Sequence, residues 1–179
     1  LTRWWETDTL AWKLAVAYAV WLGLKAACTI RGYPLEPRSD GTPWPIGDGF
    51  GDRSGRHQGI DIRAGCGTNV VAFTDGQVRW RDNPSGYGYY IDLYHTDADG
   101  NLTGDFTRYA HLQSSKDEVP NGQYVTAGQL IGVSGGALNM EGAGNSNGCH
   151  LHFEYRQVPE GGGTPVPIDP APLLGDPVT

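Results

Sequence analysis

After residue 31 this chain contains no run long enough for a helix of ordinary length, and glycine interrupts it throughout. Of the 179 residues, 27 are Gly, about twice the usual share of roughly 7%. A residue without Cβ reaches positive φ at no steric cost, so glycine at this density belongs to tight turns and bulges between short strands. The stretches between glycines read as those strands. Residues 69–74 and 77–81 are β-type runs joined by Asp75-Gly76, a hairpin signal. Residues 87–94 alternate and are aromatic, and 106–112, 129–134 and 150–156 complete the set. The sequence therefore predicts a mainly β fold, an antiparallel and partly curved sheet with long loops. The Gly- and Pro-rich tail after Gln157 reads as loop.

The N-terminal part differs. Residues 10–27 favour a helix, with Thr7 or Asp8 as cap and Gly32 and Pro34 as stop. Its apolar run, 14–24 between Lys13 and Lys25, is shorter than the roughly 20 residues of a membrane span, although the two lysines could snorkel. Trp12, Tyr18 and Trp21 give this helix more apolar surface than water tolerates. It is expected to lie against the rest of a longer chain, another protein, another copy, or a membrane. Pro34, Pro37, Pro43 and Pro45 make 32–47 read as an extended linker. The expected plan is a helix over 1–31, a linker over 32–47, a β-domain over 48–174 with its own core from about Pro43, and a tail over 175–179. The chain starts at Leu1 without the pattern of a signal peptide, and reads as a piece of a longer protein or a processed product.

The net charge of −7, from 13 Lys and Arg against 20 Asp and Glu, supplies no basic stripe for nucleic acid. It gives no help in holding an anionic wall or membrane either.

The five histidines carry the chemistry. In His150-Leu-His152-Phe-Glu154, strand alternation puts His150, His152 and Glu154 on one face and Leu151, Phe153 and Tyr155 on the other. Two adjacent imidazoles repel if protonated, and a metal ion, which binds neutral imidazole, removes the conflict. The alternative is an exposed polar face of an edge strand. His57-Gln-Gly-Ile-Asp61 places a loop His before a strand that carries Asp61, with Gly59 allowing the turn; a surface His beside a surface Asp is the other reading. Tyr109 and His111 are expected to share a strand face, and His111 alone would be a hydrogen-bonded structural residue.

In order along the chain stand His57-x-x-x-Asp61, Tyr109-Ala-His111-Leu112 and His150-Leu-His152-Phe-Glu154, with Gly67-Thr-Asn-Val-Val-Ala72, Asp75-Gly76-Gln-Val78 and the 125–134 run between them. This set resembles the lysostaphin/LytM-type zinc endopeptidases of cell-wall peptidoglycan, over residues 44–173. The resemblance implies one zinc ion per chain held by His57, Asp61 and His152, with His111 and His150 catalytic. It implies hydrolysis of cross-links or stem peptides in bacterial peptidoglycan, at the cell wall or outside the cell. A wall-cutting domain of a phage tail would fit as well. The competing class is a LytM-like module that binds metal and activates another wall hydrolase without cutting. His95 is expected to be structural. Glu154 and Tyr109 are candidates for orienting a metal-binding histidine.

Some proteins of this kind share both Cys66 and Cys149. Paired, these would tie the two ligand-bearing segments together and imply an oxidising setting. Unpaired, they would be two small buried apolar side chains. Cys28 is left over as a buried thiol of the helix.

Overall fold

The computed structural model describes residues 32–113 and 119–175. The expected N-terminal helix, Cys28 and the tail beyond 175 lie outside them. Nine strands follow in order: β1 Ile60–Ile62, β2 Asn69–Val71, β3 Gly76–Asn83, β4 Gly88–Thr96, β5 Leu102–Leu112, β6 Tyr124–Val125, β7 Leu130–Val133, β8 Leu151–Gln157 and β9 Val166–Ile168. Seven form one open sheet in the order β1-β8-β5-β4-β3-β6, with β9 also on β8, while β2 and β7 make a small second sheet. Every strand pairing is antiparallel, as the glycine-punctuated sequence predicted.

The core lies on one face of the large sheet. Ile60 and Ile62, Leu151 and Phe153, Tyr109, and Ile91 and Leu93 all bury there, covered by Val70 and Ile131 of the small sheet. Phe73 packs edge-on to Tyr155 and tilts against Phe153, which in turn meets Tyr109. The opposite face, over β1, β8 and β5, carries polar side chains.

Three readings change. The Asp75-Gly76 turn does not close a hairpin between β2 and β3. β2 pairs with β7, and β3 pairs with β4 and β6, so this turn carries the chain from one sheet to the other. The tail after Gln157 contains β9 on the edge of β8 and a single 3-10 turn, Ala171–Leu173. The segment 32–47 is extended but lies on the domain. Tyr33 and Leu35 are core residues. Gly32 N–H donates to Phe73 O, Val71 N–H to Pro34 O and Glu36 N–H to Asn69 O, while Ile46 bridges Ile62. A boundary near Pro43 cuts through this packed arm.

Cys66, just after β1, and Cys149, just before β8, form a disulfide 83 residues apart in sequence. A closed loop of that length restricts the unfolded chain by about 4.5 kcal/mol in the chain-entropy model.

Two stability measurements follow from this packing. Leu35→Ala is expected to cost about 2–5 kcal/mol, as for other fully buried leucines, read from urea unfolding. A chain starting at residue 32 should melt well above one starting at residue 40; equal melting of the two would show that the arm contributes nothing. Reduction of the disulfide should lower the melting temperature of either.

Candidate metal and catalytic centre

The site assembles on the polar face where β1, β8 and the end of β5 meet. Asp61 of β1 stands directly opposite His152 of β8, which stands opposite Ala110 of β5. Sheet register alone therefore places one carboxylate and one imidazole side by side. His57 comes from the loop before β1. Its N–H donates to Asp52 O at 3.0 Å, and its carbonyl accepts from Gly51 N–H at 2.9 Å. Gly59 is required between the two for a reason the sequence did not reveal: a Cβ there would run into the Phe153 carbonyl oxygen of β8.

His57 Nε2, His152 Nδ1 and Asp61 Oδ1 converge into a triangle with edges of 3.0 Å (His57 to Asp61), 2.9 Å (His152 to Asp61) and 3.1 Å (His57 to His152). All three residues are buried. The outer nitrogens decide what these inner atoms are. His57 Nδ1 is 2.7 Å from Gly49 O and His152 Nε2 is 3.0 Å from Glu154 Oε1. A carbonyl and a carboxylate only accept, so each outer nitrogen carries a hydrogen. In the neutral rings, both inner nitrogens then present lone pairs to each other and to Asp61. Three acceptors at such distances need a cation among them, either an extra proton or a metal ion. Ligand atoms of a tetrahedral zinc ion about 2.0–2.1 Å away stand roughly 3.3 Å apart. The triangle fits that donor set after a small expansion.

The titration directions agree with a cation site. Burial works to raise the Asp61 pKa, but the hydrogen bond and charge of His152, with His150 and His57, outweigh it and hold this carboxyl well below the usual range. Burial works against charge on His152, yet Asp61 and Glu154 outweigh it and raise its pKa. A metal ion on Nδ1 would compete with that proton.

Glu154 is fully buried. Its Oε1 accepts from Tyr87 Oη at 2.7 Å and from His152, and its Oε2 accepts from Arg156 Nε at 2.7 Å. Burial alone would raise its pKa; His152 and Arg156 reverse this and hold it at about 2. Behind it, Arg108 stands opposite Glu154 and Asp92 opposite Arg108. Arg108 grips Asp92 through two bonds of 2.7 and 3.0 Å and stacks over the rings of Tyr87 and Tyr90.

His111 and His150 complete the cluster, with ring centroids 4.8 Å apart. His111 Nδ1–H donates to Ala143 O at 2.8 Å, and His150 Nδ1–H to Gly148 O at 2.8 Å. In a neutral ring this leaves the lone pair on Nε2, and that atom of His150 lies 3.6 Å from Asp61 Oδ1. Burial, reinforced by His150 and His152, pushes the His111 pKa down to about 4, so this ring is neutral at pH 7. Tyr109, expected beside His111, lies elsewhere. His111 has φ 61, which breaks the strand alternation and turns its ring to the polar face. Tyr109 stays in the core, where its hydroxyl receives the Phe73 N–H at 2.8 Å and a bond from Thr107. His95 is buried away from the cluster, 3.2 Å from Thr107 Oγ1 and edge-on to Tyr155.

A cleft of about 200 Å³ opens onto the cluster, lined by His57, His111 and His152 together with Arg53, Arg56 and Tyr87. A smaller hollow of about 130 Å³ beside His95 and Asp105 contains none of the cluster. Sequence reasoning missed Tyr87, which lies 67 positions from its partner Glu154. It also missed Arg53, whose NH2 meets Asp61 Oδ2 at 2.5 Å. The glycines on either side of Arg53, Gly51 and Gly55, were the available sign of a special turn there.

The model of Peptidase family M23 matches residues 55–170. The cell division protein DipM of Caulobacter vibrioides is 33% identical over 139 residues, 73% of this chain and 20% of that protein. The peptidoglycan DD-endopeptidase ShyA of Vibrio cholerae is 34% identical over 130 residues, 68% of this chain and 26% of that protein. The chain thus spans about a fifth to a quarter of the length of these relatives. Among solved structures, a zinc-containing peptidase from Vibrio cholerae superposes with a TM-score of 0.56 at 27% identity, covering 79% of this chain and 39% of that one. The matched region contains β1, β5 and β8 with the whole histidine cluster, and the chain belongs to peptidase family M23.

Proposed function

We propose that this chain is the zinc-dependent endopeptidase part of a peptidoglycan hydrolase, with one zinc ion held by His57, Asp61 and His152. The observation that carries the reading is the triangle of converging lone pairs, whose outer nitrogens are already committed to Gly49 O and Glu154. Zinc bound there supplies Lewis acidity, polarising a peptide carbonyl and acidifying water.

The remaining work falls to the chain's own side chains. Peptide hydrolysis needs one proton taken from the attacking water and one given to the leaving amine. His111 and His150 supply two Nε2 atoms for these transfers, and their Nδ1–H bonds to backbone carbonyls leave Nε2 as the nitrogen that can exchange a proton. Burial keeps the His111 ring neutral at pH 7 and at the same time weakens it as a base. Glu154 orients His152 by accepting its Nε2–H. The relative named as a peptidoglycan DD-endopeptidase supports peptidoglycan as the substrate. The disulfide fits an oxidising compartment, at the cell wall or outside the cell.

The decisive experiment digests several purified peptidoglycans with zinc-loaded protein and identifies the new termini by mass spectrometry. This also separates cleavage at glycine bridges from cleavage at D-alanyl–diaminopimelate links. A zinc-loaded protein that leaves every wall intact would mark a binding module instead.

Purified protein should contain about one zinc per chain. Ala at His57, Asp61 or His152 should remove metal and activity together, and a fully active Asp61→Ala protein would refute the ligand set. His111→Ala and His150→Ala should keep zinc and lose at least about a hundredfold in rate; normal turnover in both would remove their catalytic roles. Glu154→Gln should weaken zinc binding about 10- to 100-fold, measured by competition with a chromogenic chelator. An unchanged affinity would reduce Glu154 to a structural charge.

A further inference from the structure

The two oxygens of Asp61 have different surroundings. Oδ1 faces His57 Nε2, His152 Nδ1 and, at 3.6 Å, His150 Nε2. Oδ2 faces away from the triangle, to Arg53 NH2 at 2.5 Å. Arg53 is itself fixed from behind: Asp48 Oδ2 accepts from its Nε at 2.9 Å and lies 2.8 Å from its NH2. The backbone that delivers it is unusual. Gly51, Arg53, Ser54 and Gly55 have φ of 81, 59, 61 and 79, so two residues with side chains adopt the left-handed conformation in one turn, as happens at sites where the surrounding structure forces it. Asp52 helps to force it, accepting from Gly49 N–H at 2.7 Å.

We infer that Arg53 is a positioning residue that occupies Asp61 Oδ2 and so makes Asp61 a one-oxygen ligand of the proposed metal ion. A carboxylate left free on both oxygens can close onto a dication through both of them. With Oδ2 held, Asp61 would offer one donor atom, so an ion held by the three residues would keep a further position for water or substrate. Asp48 matters to this arrangement because it fixes the Nε edge of the guanidinium and leaves NH2 aimed at Asp61. A lysine could supply the charge but not this two-sided grip. The inference rests on His57, Asp61 and His152 holding a metal.

The test uses cobalt(II) in place of zinc and reads the visible ligand-field absorption, which is strong for four-coordinate cobalt and weaker for five-coordinate cobalt. The whole chain is compared with Arg53→Met and Asp48→Asn, each checked for folding by circular dichroism. Arg53→Met is expected to lower the band intensity as Asp61 becomes a two-oxygen ligand, and Asp48→Asn to lower it by less. Because a folding defect in Arg53→Met would confuse its reading, Asp48→Asn, which leaves every proposed ligand and Arg53 in place, serves as the second variant. Bands of wild-type intensity in the folded variants overturn the assignment of Arg53 and leave the metal site standing. A wild-type protein that takes up no cobalt overturns the metal reading, and this inference falls with it.

Discussion

The pairing of β1 with β8 is the constraint on which the site depends. β1 has only three residues, yet it places Asp61 opposite His152 while Ile60 and Ile62 bury completely in the core. A shift of one residue would turn Asp61 inward and both isoleucines into the cleft, so the hydrophobic core locks the register that the polar face needs. Two further features hold the pairing. Gly59 lets the loop before β1 pass against the Phe153 carbonyl, and the Cys66–Cys149 disulfide joins the exit of β1 to the entry of β8. Directly opposed residues have Cβ atoms about 4.5–5.5 Å apart, a separation from which a carboxylate and an imidazole can converge on one ion.

The next row of the sheet explains how His152 is oriented. Glu154, Arg108 and Asp92 lie opposite one another across β8, β5 and β4, with Arg156 on the second oxygen of Glu154. Buried charges of this kind are poor contributors to net stability, because desolvation offsets most of their attraction. Removing one member would leave an uncompensated charge and cost about 3–5 kcal/mol. What the row does is keep Glu154 ionised in a fully buried position. An ionised carboxylate can only accept, so His152 directs Nε2–H toward it and turns Nδ1, the atom a metal ion would bind, toward Asp61.

Much of this was legible in the sequence because it depends on short-range alternation. The period-two pattern of His150-Leu-His152-Phe-Glu154 correctly separated the polar from the apolar face of β8, and the sequence carried the antiparallel β class through its glycines and β-branched runs. The failures share a cause. Asp75-Gly76 has hairpin chemistry, but β2 finds its partner in β7, far along the chain, and local turn preference does not report a non-local partner. Residues 32–47 have linker composition, and the Tyr33 and Leu35 pair, two apart on one face, was the overlooked sign of a packed strand-like arm. Tyr109 and His111 were placed on one face by alternation, which the positive φ of His111 breaks. Such a backbone outlier cannot be read from residue type, although histidine tolerates it better than most.

The proposed metal ligands and the proposed proton carriers are supported in different ways. Asp61, His152 and Glu154 project from paired strands, where the core fixes them. His111 and His150 are instead held through Nδ1 by the carbonyls of Ala143 and Gly148, both in the loop between β7 and β8. That loop is itself anchored at several points: Ser146 donates to the Gly136 carbonyl at 2.7 Å, Gly142 O receives the Tyr89 N–H at 2.9 Å, and Asn145 N–H donates to Gly86 O at 2.8 Å. Gly88, Gly142 and Gly144 approach so closely there that a Cβ on any of them would strike backbone. A change in this loop would therefore act on the two rings more directly than on Asp61 and His152, which the paired strands β1 and β8 hold. Because loops vary more readily than the elements they join, this division lets the same sheet keep its metal chemistry while the loop adjusts how protons are delivered and which peptide fits the cleft.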